Sequence, residues 1–206
     1  MRELLIATRN KGKFREIEAY LKDLGLRMLD LDALGEEMGV SEDGKTYREN
    51  ALKKAKEVAK RTGKLTLADD SGLEVEALGG IPGVRSARFA GEGASDEENN
   101  RKLLDLLKDF PLEERKAVFR CVMALVDPQG GWEEVVEGSV EGIILDRPRG
   151  TQGFGYDPVF LIPELGKTLA ELPLEVKNSI SHRGKALKAV KDILRSRLLS
   201  GRGAAG

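Results

Sequence analysis

The sequence predicts an α/β domain built around a mixed sheet, and three observations carry that prediction. Short apolar runs end in turn residues and are followed by apolar positions at helical spacing; two longer strand-like runs flank a Gly- and Pro-containing turn; no internal repeat or low-complexity linker interrupts the series. The first run, Leu4-Leu5-Ile6-Ala7, stops at Thr8-Arg9-Asn10, after which Phe14, Ile17, Leu21 and Leu24 mark a helix. A second helix starts at Thr46, with Glu49 completing a capping box and Ala51, Leu52, Ala55, Val58 and Ala59 on one side, and stops near Gly63. Leu65 to Ala68 reads as a buried strand running into a turn at Asp69-Asp70-Ser71-Gly72, and Gly79-Gly80-Ile81-Pro82-Gly83 reads as a loop. A helix follows Asp96 through Leu103, Leu104, Leu106 and Leu107. The segments 117–126 and 132–140 pair as a hairpin across Asp127-Pro128-Gln129-Gly130-Gly131. Arg147 to Pro158 is too rich in Gly and Pro for a regular element, and a last helix begins at Ser181 with Leu187, Val190, Leu194 and Leu198 along its apolar stripe.

Composition narrows the function. The 206 residues are 40% hydrophobic and 33% charged, an ordinary globular balance, and 34 Lys and Arg stand against 35 Asp and Glu for a net charge of -1. No global field draws such a chain to nucleic acid or anionic lipid, so an anionic ligand must meet a local cluster. The single cysteine, Cys121, excludes an intrachain disulfide and a cysteine-rich zinc site. The absence of a long apolar run or signal pattern leads to the expectation of a cytoplasmic protein that binds neither membrane nor nucleic acid.

Two helix starts carry the wrong charge. Helix N-termini are partially positive, so basic residues there are disfavoured by roughly 0.3 to 1 kcal/mol each unless an anion sits nearby. Arg9, Lys11 and Lys13 surround Asn10 and Gly12 at the first start; His182, Arg183 and Lys185 follow Ser181 at the last. Both read as candidate phosphate sites, with solvated surface turns as the alternative. The spacing Thr8 to Lys13 is neither a P-loop nor a dinucleotide-binding turn. Asp69 and Asp70 at the end of an apolar strand offer hard oxygen donors suited to Mg²⁺, which Glu42 and Asp43 could complete; a simple turn explains one Asp but not the pair. Lys53 and Lys177 are further candidates for the phosphate side. Gly153-Phe154-Gly155-Tyr156-Asp157-Pro158 alternates glycine with aromatic rings, which suits close approach to a flat nucleobase or, alternatively, a loop pinned into the core by Phe154 and Tyr156. Ser181-His182 is not a nucleophile and base pair by adjacency alone, and Cys121 reads as a small buried hydrophobe.

Taken together, Thr8 to Lys13, Ala68 to Leu73, Gly80 to Arg88, Gly153 to Pro158 and Ser181 to Arg183 resemble, in order and over nearly the whole chain, the inosine triphosphate pyrophosphatase family. The resemblance implies an elongated mixed sheet with flanking helices forming two lobes around a central cleft, with residues 1–200 as one bilobed catalytic domain; Gly201 to Gly206 reads by itself as a frayed tail. It implies a homodimeric, Mg²⁺-dependent house-cleaning hydrolase that converts XTP, ITP or dITP to the nucleoside monophosphate and pyrophosphate. Carried over by position, Thr8, Arg9, Asn10, Lys11, Gly12 and Lys13 form the triphosphate loop, Asp70 is general base and metal ligand, and Glu42 is a second metal ligand. Ser71, Phe154, Gly155, Tyr156, Asp157, Lys177, His182 and Arg183 fall on substrate-binding positions. Two rivals remain: a Maf-like pyrophosphatase for modified pyrimidine nucleotides, separable by a substrate panel, and a non-catalytic nucleotide sensor, which binds tightly without turnover.

Overall fold

The computed structural model describes residues 2–32 and 39–200, the side chains of 198–200 excepted. The expected tail at 201–206 and the side chain of Leu198 lie outside the described residues. Among the described residues the strands are β1 (Glu3–Ile6), β2 (Arg27–Leu29), β3 (Thr66–Val75), β4 (Lys116–Asp127), β5 (Trp132–Ile144), β6 (Phe160–Ile162) and β7 (Lys167–Thr168). The helices are α1 (Lys11–Leu21), α2 (Tyr47–Thr62), α3 (Asp96–Leu107), α4 (Leu174–Ile180) and α5 (His182–Ser200). The strands form one sheet in the order β2-β1-β3-β4-β5-β6-β7. β1 pairs in parallel with β2 and β3, whereas β6 pairs antiparallel with β5 and β7, so the sheet is mixed as expected. No helix among the described residues is long and apolar enough to cross a membrane.

The chain forms two compact units, to both of which β3, β4 and β5 contribute residues. The first takes the described residues of Met1–Asp70, Val122–Gly138 and Arg183–Gly206. Its β1 is fully buried from Leu4 to Ile6, as a strand covered on both faces must be, and the register Leu5↔Leu29 and Leu5↔Thr66 sets its neighbours. α1 starts where Asn10 Oδ1 accepts the Lys13 N–H at 3.0 Å and buries Ile17 and Leu21. At α2, Thr46 Oγ1 accepts the Glu49 N–H at 3.1 Å, but the Glu49 carboxylate takes the Lys45 N–H at 2.7 Å, so the second bond of the expected capping box is displaced by one residue. α2 ends as expected at Gly63, whose φ of 65° lets its N–H reach the Ala59 carbonyl.

The second unit comprises Ser71–Cys121 and Ser139–His182. Leu73, Val75, Leu103, Phe119, Ile144 and Phe160 belong to its core. Ser95 and Glu98 form a complete capping box at the start of α3, which buries Leu103 and Leu107.

One expectation is corrected. Asp69-Asp70-Ser71-Gly72 is not a turn after the strand; β3 runs without interruption through all four residues to Val75. The carboxylates tolerate the interior because ionic and amide partners meet them, as described below, and Leu73 and Val75 beyond them are core residues. The hairpin formed as expected but longer, its turn held by Asp127 Oδ1 accepting the N–H groups of Gln129 at 3.0 Å and Gly130 at 2.9 Å. β2, β6, β7 and α4 were not anticipated. In α4 the apolar residues Leu174 and Val176 are exposed, which leaves no amphipathic stripe to read.

Candidate functional site

In the first unit, consecutive residues of β3 direct Asp69 and Asp70 to opposite faces, and the two carboxyl groups acquire opposite electrostatics. Asp69 Oδ2 lies 3.0 Å from Lys13 Nζ and 3.4 Å from Arg183 Nη2. Arg183 is fully buried and also donates to Glu16 Oε2 at 2.6 Å. Burial alone raises a carboxyl pKa, but Lys13 and Arg183 outweigh it and hold Asp69 well below the usual carboxylate range. Burial likewise works against the Lys13 charge, and Asp69 reverses that, lifting Lys13 above its ordinary value.

Asp70 goes the other way. It accepts one hydrogen bond from Asn50 Nδ2 at 2.9 Å, and burial, reinforced by the nearby negative charge of Glu42, pushes its pKa up to about 6. Asn50 also accepts the Gly44 N–H at 2.7 Å and so ties the segment carrying Glu42 to the helix that faces Asp70. A Cβ on Gly44 would stand 2.6 Å from Asn50 Oδ1 and 2.9 Å from Glu49 Cβ, so a side chain there would have to displace Asn50. Glu42 forms an ion pair with Lys54. Lys53 is engaged by Asp43 at 2.6 Å and Ser41 at 2.9 Å. Among the described residues no group of three or more His, Cys, Asp or Glu is arranged to hold a metal. Glu42 and Asp70 are two hard donors whose mutual repulsion a cation relieves, a set that suits Mg²⁺ when phosphate and water supply the remaining ligands.

The turn Thr8 to Lys13 is fixed by its own side chains: Thr8 Oγ1 accepts the Asn10 N–H at 3.2 Å, and Asn10 caps α1. A cavity of about 260 Å³ is lined by Thr8, Arg9, Asn10 and Lys11 together with Phe14, Arg15, Glu18, Asp30 and Asp32. Gly12 and Lys13 follow in the first turn of α1. At the basic start of α5 the Arg183 charge is buried and paired with Glu16 and Asp69.

In the second unit the Gly and aromatic loop answers both of its readings. Tyr156 is buried in the core, donates to the Ser86 carbonyl at 2.8 Å and has its hydroxyl pKa pushed up by burial. Phe154 is half-buried, with Lys177 Nζ 4.9 Å from its ring centroid. The buried Lys177 is paired with the buried Asp157, whose Oδ2 also accepts the Phe154 N–H at 2.9 Å. Gly153 has a φ of 76°, and a Cβ on it would stand 2.1 Å from Asp157 Oδ2. Gly155 is gripped by α3: its N–H donates to Asp96 Oδ2 at 2.6 Å and its carbonyl accepts from Asn100 Nδ2 at 2.8 Å. His182 stacks on Phe119 with ring centroids 4.6 Å apart, and Ser71 is half-buried in β3. Asn50, Asn100 and Glu16 carried no functional signal, since polar residues of a helical pattern are ordinarily solvated, and Asp96 marked only the start of a helix.

Comparison with known proteins adds what geometry alone does not. The profile of the Ham1 family matches residues 4–193. A Geobacter sulfurreducens protein named dITP/XTP pyrophosphatase is 57% identical over 194 residues, covering 94% of this chain and 97% of that protein. A Bacillus licheniformis protein of the same name is 50% identical, covering 94% and 98%. Among solved structures, a HAM1 protein from Coxiella burnetii superimposes with a TM-score of 0.85 at 40% identity, covering 95% of this chain and all of that one. The Staphylococcus aureus Ham1 protein gives 0.83 at 41% identity, with the same coverage.

Proposed function

This chain belongs to the Ham1 family, and from that membership and the geometry above we propose that it hydrolyses XTP, ITP and dITP to the nucleoside monophosphate and pyrophosphate. The observation that carries the chemistry is Asp70: a buried carboxyl poised near pH 6 beside a second carboxylate, within the field of Lys13. A general base works best when its pKa lies near the working pH, and an ordinary Asp does not.

A divalent ion, Mg²⁺ in this proposal, would be held by Glu42 and Asp70 and supplies neutralisation of phosphate oxygens. Asp70 orients a water and accepts its proton. The water oxygen bonds to the α-phosphorus, the bond from that phosphorus to the bridging oxygen breaks, and pyrophosphate leaves. Thr8, Asn10 and the N–H groups opening α1, flanked by Arg9, Lys11, Gly12 and Lys13, receive the leaving charge. Asp69 acts on Lys13, holding its ammonium 3.0 Å away. In the second unit, Phe154 offers a stacking face and Lys177 a donor for the 6-keto oxygen of hypoxanthine or xanthine. A 6-amino group would confront that donor with another, which disfavours adenine. Lys53, Ser71, Gly155, Tyr156, Asp157, His182 and Arg183 complete the proposed substrate set. Within that set Lys53, Tyr156, Asp157, His182 and Arg183 also hold the contacts described above.

Incubation with ITP, XTP, dITP, GTP and ATP in Mg²⁺, with pyrophosphate and orthophosphate assayed separately, tests the proposal. Pyrophosphate from the deaminated nucleotides is expected. Orthophosphate alone refutes the assigned bond, and tight binding without turnover establishes the sensor reading instead. Residues 1–200 acting as one catalytic domain, a homodimer by light scattering and a cytoplasmic location belong to the same proposal.

A further inference from the structure

Both peptide groups that flank the Cα of Phe154 are anchored by carboxylates. Its own N–H donates to Asp157 Oδ2 at 2.9 Å, and the next N–H, that of Gly155, donates to Asp96 Oδ2 at 2.6 Å. With both flanking N–H groups fixed, the backbone angles at Phe154 are fixed, and with them the direction in which the ring leaves the chain. The carbonyl of Gly155 is then taken by Asn100 Nδ2 at 2.8 Å, so α3 holds both polar groups of a single residue whose φ is 61°.

The two holding side chains are one helical turn apart and share a face of α3. α3 is itself a rigid support. Its start is closed by the reciprocal Ser95 and Glu98 bonds, and Leu103 and Leu107 are fully buried. The intervening residue Asn99 accepts the Ala90 N–H at 2.8 Å and donates to the Ala87 carbonyl at 3.2 Å, which steadies the segment whose Ser86 carbonyl receives the Tyr156 hydroxyl.

We propose that Asp96 and Asn100 are positioning residues for base recognition, acting through Gly155 to aim the Phe154 ring at the purine. The inference rests on the reading that Phe154 receives the base, and it extends the determinants of specificity to two side chains of α3 that act through the Gly155 backbone. A role confined to stability would weaken the fold without favouring one part of the nucleotide over another.

The test compares Asp96→Ala, Asp96→Asn and Asn100→Ala with the unaltered protein in ITP hydrolysis, using inorganic tripolyphosphate as a base-free competitive inhibitor. Loss of one hydrogen bond is expected to raise KM for ITP about fivefold while leaving kcat within about twofold. The inhibition constant of tripolyphosphate stays unchanged. Asp96→Asn, which retains an acceptor for the Gly155 N–H, restores KM to within about twofold of the unaltered protein. In a Phe154→Ala background, Asn100→Ala adds nothing further, because the ring it aims is gone. The proposal is overturned if ITP and tripolyphosphate weaken together, if the effect persists without Phe154, or if KM does not move. Asp96 is exposed, so Asp96→Ala carries the test should Asn100→Ala fail to fold. An unaltered protein that does not turn over ITP overturns the function itself, whereas normal turnover with unmoved variants overturns only the positioning role.

Discussion

Replacing Asp70 by Asn is expected to lower activity by orders of magnitude and to stabilise the protein, and the size and pH dependence of the gain follow from one buried group. Asp70 is 5% exposed, and its pKa is pushed from an ordinary 3.8 up to about 6, chiefly by burial and then by Glu42. The folded protein therefore binds this proton more tightly than the unfolded chain does. Between pH 3.8 and about 6 the unfolded chain gives up the proton first, so folding stability falls as pH rises through this window. Below it both states are protonated and nothing is lost; above it the full penalty applies. At about 1.36 kcal/mol per pH unit, the penalty reaches about 3 kcal/mol near pH 8.

Asn carries no charge at any pH, and its side-chain oxygen still accepts the bond from Asn50 Nδ2 that Asp70 accepts at 2.9 Å. Urea denaturation of both proteins in EDTA, from pH 4 to pH 8, should show near-equal stability at the acid end and an advantage for Asp70→Asn of up to about 3 kcal/mol at the alkaline end. Turnover of ITP should fall by about 10² to 10⁴ in the same variant. A stability difference that does not change with pH refutes the raised pKa, and near-normal turnover removes Asp70 from the chemistry.

Three further outcomes follow from the same geometry. Mg²⁺ at millimolar concentration should raise Tm above pH 7 in the unaltered protein and not in Asp70→Asn, because the ion relieves a repulsion between Glu42 and Asp70 that the variant lacks; calorimetry with and without EDTA reads this, and an equal rise in both excludes the pair as ligands. Phe154→Ala should raise KM for ITP about tenfold with little change in kcat, as expected when a stacking contact of about 1 to 3 kcal/mol is lost, and an unchanged KM makes the loop structural only. Arg183→Leu should destabilise the fold by about 3 to 5 kcal/mol, since it leaves the buried carboxylates of Glu16 and Asp69 without the guanidinium between them; a loss under about 1 kcal/mol in urea denaturation contradicts that account.

What could be read from the sequence was local. The apolar run of β1, the Thr46 cap, the Gly63 stop and the Asp127 turn all depend on residues within a few positions of one another. The course of β3 through Asp69 and Asp70 was not legible, because it depends on partners from α1, α2 and α5 that neutralise carboxylates which would otherwise break a buried strand. Arg183 shows the same limit from the other side. Its place in the first turn of α5 correctly signalled that a negative charge must lie nearby, and the helix dipole rule held. The anion that answers it is Glu16, 167 residues away in the chain, together with Asp69. A local rule can demand a counter-charge without saying whether protein or ligand provides it.

That distinction bears on how the first unit could take a triphosphate. Among the described residues, the ion pairs and fields named above join three cations, Lys13, Lys54 and Arg183, to four carboxylates, Glu16, Glu42, Asp69 and Asp70. With all ionised their sum is negative by one charge, and with Asp70 protonated it is neutral. Neither state attracts a polyphosphate through its buried charges, and Lys53 is engaged by Asp43. Of the cations on the turn, Arg9 and Lys11 stand exposed and Lys13 does not. One divalent cation shared by Glu42 and Asp70, as proposed, would change the sum to plus one and would stabilise the ionised form that Asp70 needs to act as the proposed base. Substrate attraction and base activation would then be coupled to the same ion. The coupling predicts that raising Mg²⁺ lowers both KM for ITP and the acid-side pKa of kcat/KM, and a pH profile that stays fixed while KM falls would separate the two effects and refute the shared site.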